Sequence, residues 1–311
     1  KKSDTLLDEN YSSLKWTGAN ELQPGDFLTV PKRTELQTSD LSPEQLWSLG
    51  FWLAEGHYIP ATKAGSGGLG ATNQNCEMLD KFGMTMCSWF PQDYVMLGSR
   101  ERRPVFRDSF YSRTHKIRGK HYIHDLRFKS RIAAEYFYQR FGNRCHNKQL
   151  DLETYWKSNL IDTVAGFIDG DGSQRWNADR DVNIYSTSLV LIQQLRQIMI
   201  DSGIWCTTIK GGPPPEKRHQ SYQLNVRSRY INKINSIKLE DYTCRTRNVA
   251  IEEGDYFLTP IKSVNRKPYS GLVHNFSVEE DESYIAGGVA VHNCKDDAVM
   301  AWLCALEGYA R

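Results

Sequence analysis

The chain has no CxxC pair and no group of Cys and His at metal-ligand spacing. That argues against a structural zinc site of the common kinds. Its seven cysteines are scattered, and their odd number argues against a secreted disulfide framework. No apolar run reaches membrane length, and no signal peptide opens the sequence, which starts at Lys1 without an initiator Met. A reducing, cytoplasmic setting with no membrane partner is therefore expected. Global excess charge is also missing: 39 Lys and Arg against 37 Asp and Glu leave +2. Composition alone therefore announces no polyanionic ligand. The hydrophobic share of 40% and charged share of 24% are ordinary for a globular protein. A length of 311 residues leaves room for about two domains.

The charge is unevenly spread. From Arg100 to Arg131, eleven Lys or Arg stand against three acids (Glu101, Asp108, Asp125), a local net of +8. A charge run is usually a solvated face. This one is interleaved with Phe106, Phe110, Tyr111, Tyr122 and Phe128. That pattern suits a basic sheet surface better than a disordered tail.

Two short stretches repeat one another: Leu49 to His57 (LGFWLAEGH) and Val164 to Ser173 (VAGFIDGDGS). Gly50 aligns with Gly166, Ala54 with Gly170, Glu55 with Asp171 and Gly56 with Gly172, all at one separation. Each copy has two small residues one helical turn apart, then an acid, then a glycine. Small residues at i and i+4 share a helix face and let two backbones approach. The glycine is expected as a C-cap. The acid then lies in the last turn, where the helix dipole disfavours an anion. Two such carboxylates side by side call for a cation, and a divalent metal with oxygen ligands would serve. Either stretch alone could be a buried helix with a capping glycine; the duplication with matched acids weighs against that.

At both motifs the pattern resembles the LAGLIDADG homing endonucleases. The second copy matches at most positions. In the first, Phe51, Trp52 and Leu53 replace the usual middle residues and the acid is Glu. The resemblance implies an α+β fold of two αββαββα-type repeats related by a pseudo-two-fold axis, acting on double-stranded DNA with Mg²⁺.

Other segments fit two repeats. Ser42, Pro43 and Gln45 read as a capped helix start, with the helix running to Glu55. Asn75 to Phe90 reads as a helix with Met78, Leu79, Phe82 and Met86 on its apolar side. The second motif helix is expected to start near Ser158 or Asn159, and another helix covers Leu189 to Asp201. His121 to Ser130 alternates: Tyr122, His124, Leu126 and Phe128 on one face, Asp125, Arg127 and Lys129 on the other. Ser221 to Ser228 does the same, with Gln223, Asn225 and Arg227 outward. Leu126 corresponds to Leu224, Lys129 to Arg227 and Ser130 to Ser228. Gly211 to His219 reads as a hairpin loop whose Lys217, Arg218 and His219 are more simply solvated than bound to phosphate.

The ends of the chain differ in character. Near the start, a Pro24-Gly25-Asp26 turn feeds a short alternating strand from Phe27 to Val30, resembling the stretch of Hint (intein) domains before an endonuclease insertion. From about Ala250 short strands and turns take over, ending in Ala286-Gly287-Gly288 and Val291-His292-Asn293-Cys294. That resembles the C-terminal splicing region of inteins, with Glu282 where many members carry a histidine. The resemblances imply a partial, mostly-β Hint domain (1–40 and 249–293) around an endonuclease (41–248, repeats 41–150 and 151–248). A C-extein would be 294–311, resembling the end of a phage terminase nuclease domain, in which Asp296 or Asp297 would hold metal. No cysteine precedes Cys76 and no Thr-x-x-His precedes the turn. The N-terminal splicing segment is therefore expected as a separate partner, in cis or in trans, and the chain alone is expected to make no spliced product.

The expected chemistry has two parts. Glu55 and Asp171 would hold Mg²⁺ for phosphodiester hydrolysis; no residue stands out as a general base. Arg127, Lys129, Gln223, Asn225 and Arg227 would contact DNA from the strands. At the junction, Asn293 would cyclise and cleave the chain after itself. His292 would assist the leaving group, and Cys294 would accept the acyl group. Two rivals stand beside this reading: a LAGLIDADG-type DNA-binding module without cleavage, and a phage nuclease fragment without splicing.

Overall fold

The computed structural model describes residues 14–60, 67–91, 110–117, 121–174, 181–211, 219–239, 250–268, 270 and 283–292. The chain forms two compact units, Lys1–Pro31 with Val249–Arg311, and Lys32–Asn248.

The first unit is β-rich. β1 (Phe27–Pro31) follows a turn in which Gly25 takes φ 104°, a value that disfavours side chains. The inner unit follows in sequence, and its first helix, α1 (Pro43–Glu55), starts at a full capping box. The Ser42 hydroxyl accepts the Gln45 N–H at 3.3 Å, and the Gln45 side-chain oxygen accepts the Ser42 N–H at 2.8 Å. After α1 come β2 (Gly56–Ile59), β3 (Gly68–Asn73), α2 (Cys76–Trp89), β4 (Phe110–Ile117), β5 (His121–Phe128) and α3 (Arg131–Phe141). A short helix, α4 (Leu152–Lys157), links to the second copy. This is α5 (Ile161–Asp171), β6 (Ser173–Gln174), β7 (Val182–Ser186), α6 (Leu189–Asp201), β8 (Cys206–Lys210), β9 (Tyr222–Val226) and a 3-10 helix, Ser228–Lys233.

Both copies make an antiparallel four-stranded sheet of the same order, β2-β3-β5-β4 and β6-β7-β9-β8. The register is shared too. Ala71 lies opposite Leu126 and Ile184 opposite Leu224, all four side chains buried under the helices or nearly so. The match extends to the caps. Asn75 caps α2 while its own N–H goes to Asn73 Oδ1 at 2.9 Å. Ser188 caps α6 while its N–H goes to Ser186 Oγ at 3.1 Å. The copies diverge at their ends, where α3 faces a 3-10 helix of six residues.

One expectation needs correction. The second motif helix begins at Ile161, not at Ser158 or Asn159, and Leu160 gives it no side-chain cap. Residues 158 and 159 are held extended by the entry segment: Ser158 bridges Gln37, and Asn159 N–H donates to Gln37 O at 3.2 Å. The same entry segment is clamped where Arg33 donates through its backbone N–H and Nε to Asp201, both at 2.7 Å. The motif glycines are the C-caps, as expected, at ordinary backbone angles: Gly56 has φ −77° and Gly172 has φ −68°. They are needed for space. A Cβ at Gly56 would strike the Trp52 indole, and one at Gly172 would lie 2.9 Å from Ile168 Cα.

The chain returns to the first unit with β10 (Ile251–Glu253) and β11 (Tyr256–Pro260), forming the antiparallel sheet β1-β11-β10. A hairpin follows, β12 (Ser283–Ala286) and β13 (Val289–His292). Its two-residue turn is Gly287 and Gly288, at φ 60° and 81°; positive φ at both positions is what such a tight turn requires.

Candidate active site at the paired helix ends

α1 and α5 pack against one another through their small residues. A Cβ at Gly50 would collide with the Thr163 carbonyl oxygen and lie 2.9 Å from Phe167 N. A Cβ at Gly166 would collide with the Trp47 carbonyl oxygen and lie 2.9 Å from Phe51 N. Thr163 and Phe167 are the repeat-mates of Trp47 and Phe51, so the contact is two-fold symmetric. Phe51 and Phe167 are both buried, and Trp47 stacks on Phe51 at 5.1 Å between centroids. One turn on, a Cβ at Gly170 would lie 2.6 Å from Ala54 Cβ and 3.1 Å from Glu55 Cγ. Backbone-to-backbone contact thus brings the two C-terminal turns, and with them Glu55 and Asp171, to one place.

The electrostatics follow from that proximity. Partial burial raises the Glu55 carboxyl, the nearby Asp171 carboxylate raises it further, and it reaches about 7. Asp171 is also raised, by desolvation. Asn73 Nδ2 donates to Glu55 Oε1 at 3.1 Å and so holds the carboxyl at the sheet edge. Ser186, the counterpart of Asn73, lines a cleft of about 210 Å³ together with Asp171, Lys148 and Cys145.

Two lysines that carried no sequence signal are part of this site. Lys148 is buried, and its Nζ donates to Trp52 O at 2.9 Å, Leu53 O at 3.0 Å and Gly56 O at 2.7 Å. It also lies over the Trp52 ring at 4.7 Å. It therefore satisfies the carbonyls that end α1 and brings a positive charge to the negative helix end. Burial lowers its pKa to about 8, against the pull of Glu55 and Asp171. Lys238 stabilises both carboxylates electrostatically. Its position is fixed by Asp169, a fully buried carboxylate inside the second motif. Asp169 accepts from Trp47 Nε1 at 2.7 Å, Ser236 Oγ at 2.5 Å, Ile237 N at 3.1 Å and Lys238 N at 3.0 Å. A charged residue where the first motif has Leu53 was the visible hint of that role.

The strand residues expected on the polar faces are there, and neighbouring groups hold them. Lys129 is exposed. Arg127 Nε donates to Asp125 Oδ2 at 2.7 Å, and Arg227 Nη1 donates to Asp181 Oδ2 at 2.8 Å. Asp181 Oδ1 also accepts the Ser228 N–H at 3.2 Å. Gln223 and Asn225 both donate to Asn183 Oδ1, the latter at 3.0 Å. Asp125, Asp181 and Asn183, which orient these groups, are all buried. In the other unit, His292 ends β13 with its ring 5.0 Å from that of Trp16. Asn293 and Cys294 lie outside the described residues, as do Glu282, Lys217, Arg218, Asp296 and Asp297.

Among the described residues no three His, Cys, Asp or Glu gather as a metal cluster, and no helix is long and apolar enough to cross a membrane. No family model matches the chain. It is 25% identical over 295 residues to an iron-sulfur cluster assembly SufBD family protein of Mycobacterium tuberculosis, covering 90% of this chain and 31% of that protein. It is 25% identical over 257 residues to the ATP-dependent DNA helicase Hel308 of Thermococcus kodakarensis, covering 79% of this chain and 21% of that protein. The chain thus spans less than a third of the curated relatives it matches. It is also similar to a variant of the homing endonuclease I-DmoI solved with its target DNA and manganese, with 12% identity and a TM-score of 0.40 over 61% of this chain and 90% of that one.

Proposed function

We propose that the inner unit is a sequence-specific, metal-dependent endonuclease for double-stranded DNA, carried inside a protein-splicing domain. The observation that carries the nuclease reading is the symmetric helix contact that sets Glu55 beside Asp171, between two like sheets with polar faces. Two carboxylates suit Mg²⁺, which is usually held by one or two of them, with waters and substrate phosphates completing its shell. Desolvation raises both acids and the Asp171 charge raises Glu55 further, and a bound cation would oppose both effects. Bound there, Mg²⁺ would neutralise charge at the scissile phosphate and supply an activated water. The chain's own part is positioning and charge. Asn73 orients Glu55, and Lys148 and Lys238 add positive charge beside the acids. Lys129 and other basic side chains would hold phosphates.

The splicing reading rests on His292, Asn293 and Cys294 after the Gly287-Gly288 hairpin. Its support includes the matches themselves. One stretch aligns with parts of an iron-sulfur assembly protein and of a DNA helicase, as a segment inserted into unrelated hosts would. The N-terminal splicing segment remains its implied partner.

The test is cleavage of a library of candidate insertion sites, with and without Mg²⁺. Double-strand cutting that needs Mg²⁺ is expected, and Glu55→Gln and Asp171→Asn should each abolish it while DNA binding persists. If either variant cuts like the parent, that acid is misassigned. For the junction, Asn293→Ala should stop release of a peptide beginning at Cys294; continued release at that bond would remove Asn293 from the chemistry. One observation favours a binding module without cleavage. Lys148 already places a cation beside the acids, so DNA binding without any metal-dependent nicking would support it.

A further inference from the structure

Two residues past each motif acid, one cross-strand row runs over each sheet. In the first sheet it is His57, Gly70, Arg127. In the second it is Ser173, Asn183, Asn225. The rows occupy equivalent places but carry different chemistry.

The first row is ionic. Asp125, buried next to it on the same polar face, accepts the Arg127 Nε–H at 2.7 Å, and its other oxygen lies 3.8 Å from His57 Nε2. A Cβ at Gly70 would lie 2.6 Å from His57 Cε1, so the imidazole lies across Gly70, where the second sheet carries the Asn183 side chain. The second row is neutral. Asn183 is fully buried, its Oδ1 accepts from both Asn225 and Gln223, and its Nδ2 has no acceptor. A buried N–H without an acceptor is costly, so this amide cluster is one acceptor short as it stands.

A guanidinium offers donors only, in a fork that matches N7 and O6 of guanine. A carboxamide offers a donor and an acceptor together, which matches N7 and N6 of adenine. We propose that Arg127 selects a guanine and Asn225 an adenine at two mirror-related positions of the DNA site, so that its half-sites differ there. Asp125 and Asn183 are the positioning residues: each is buried and fixes the plane of the reading group beside it. This assignment rests on the DNA-cutting reading above and gives it base identities.

The experiment is selection of bound duplexes from a randomised library, using the full chain in a metal-free buffer, with sequencing of the bound fraction. The parent should favour guanine at one position and adenine at its mirror position by about 5- to 150-fold each. Arg127→Lys keeps the charge and a partner for Asp125 but removes the fork; it should relax the guanine position alone. Asn225→Ala should relax the adenine position alone, and Asn225→Arg should turn that preference toward guanine. The same base preference at both mirror positions, or substitutions that relax both or neither, would overturn the assignment while leaving DNA binding intact. Absence of any DNA binding by the folded parent would overturn the DNA-cutting reading and this assignment together.

Discussion

Asp169 accepts the indole N–H of Trp47 at 2.7 Å and so fastens α5 to α1 by a hydrogen bond to a buried carboxylate. The same carboxylate holds Ser236, Ile237 and Lys238 through three further donors. One residue thus ties the helix interface to the segment that brings Lys238 to the acids. Its repeat-mate Leu53 is apolar, so the two halves of the site are not built alike.

Asp169→Asn should therefore affect two readouts. It keeps the volume but removes the charge and sets an NH₂ against donors. A loss of about 2–3 kcal/mol in unfolding free energy is expected, since hydrogen bonds to buried charged groups contribute on that order. A urea titration measures it. DNA cutting at a temperature where the variant remains folded should also slow, because Lys238 loses its anchor. An unchanged urea midpoint would show that the four hydrogen bonds contribute little.

Gly166→Ala and Gly254→Ala separate space from backbone strain. At Gly166 the added methyl meets the Trp47 backbone, which cannot swing aside as a side chain would. The helices must part, and a loss of roughly 3 kcal/mol or more is expected, at the upper end of overpacking costs. At Gly254 nothing lies within 4 Å of the new Cβ, and φ is +52°. Only the left-handed conformation then matters, at about 1–2 kcal/mol. Equal losses at the two sites would contradict the close approach of α1 and α5.

The repeat was legible because close helix packing needs small residues at fixed spacing, and they leave a pattern. The strand alternation was legible for the same reason: Leu126 and Leu224 must point inward. Lys148 was not, because what it contacts are main-chain carbonyls, and any long cation from a nearby loop could reach them. The start of α5 was missed because the pairing of Ser158 and Asn159 with Gln37 is a long-range event. The motif glycines cap their helices as the sequence suggests, but that crowding makes them necessary is not legible, since a glycine required by crowding and one required by φ look identical in sequence.

The acids predict a pH dependence with a definite sign. The Glu55 carboxyl rises from 4.5 to about 7 on folding, through burial and the neighbouring Asp171. Between those values the folded protein binds more protons than the unfolded one, so stability falls as pH rises through that window. Glu55→Gln removes the effect. It should raise the melting temperature of the metal-free protein at pH 8 and leave it nearly unchanged at pH 4, where both states are protonated. Mg²⁺ should stabilise the parent more at pH 8 than at pH 5 and do little for the variant. A parent and variant with parallel stability profiles from pH 4 to 8 would show that Glu55 is not desolvated.

Lys148→Met tests whether the buried ammonium holds the site together. The substitution keeps much of the stem and its contact with Trp52 but removes the three hydrogen bonds to Trp52, Leu53 and Gly56 carbonyls. Trp52 O keeps the Gly56 N–H, but losing the ammonium from this buried helix end should cost on the order of 3 kcal/mol. A second consequence follows from charge. Lys148 is among the cations that hold Glu55 down, so its loss should move the Glu55 carboxyl above about 7. Carboxyl chemical shifts followed by NMR titration report that movement separately from stability. A destabilised variant with an unmoved Glu55 would make Lys148 a helix cap alone. A shifted Glu55 with a similar loss of cutting would make it part of the charge balance of the site as well.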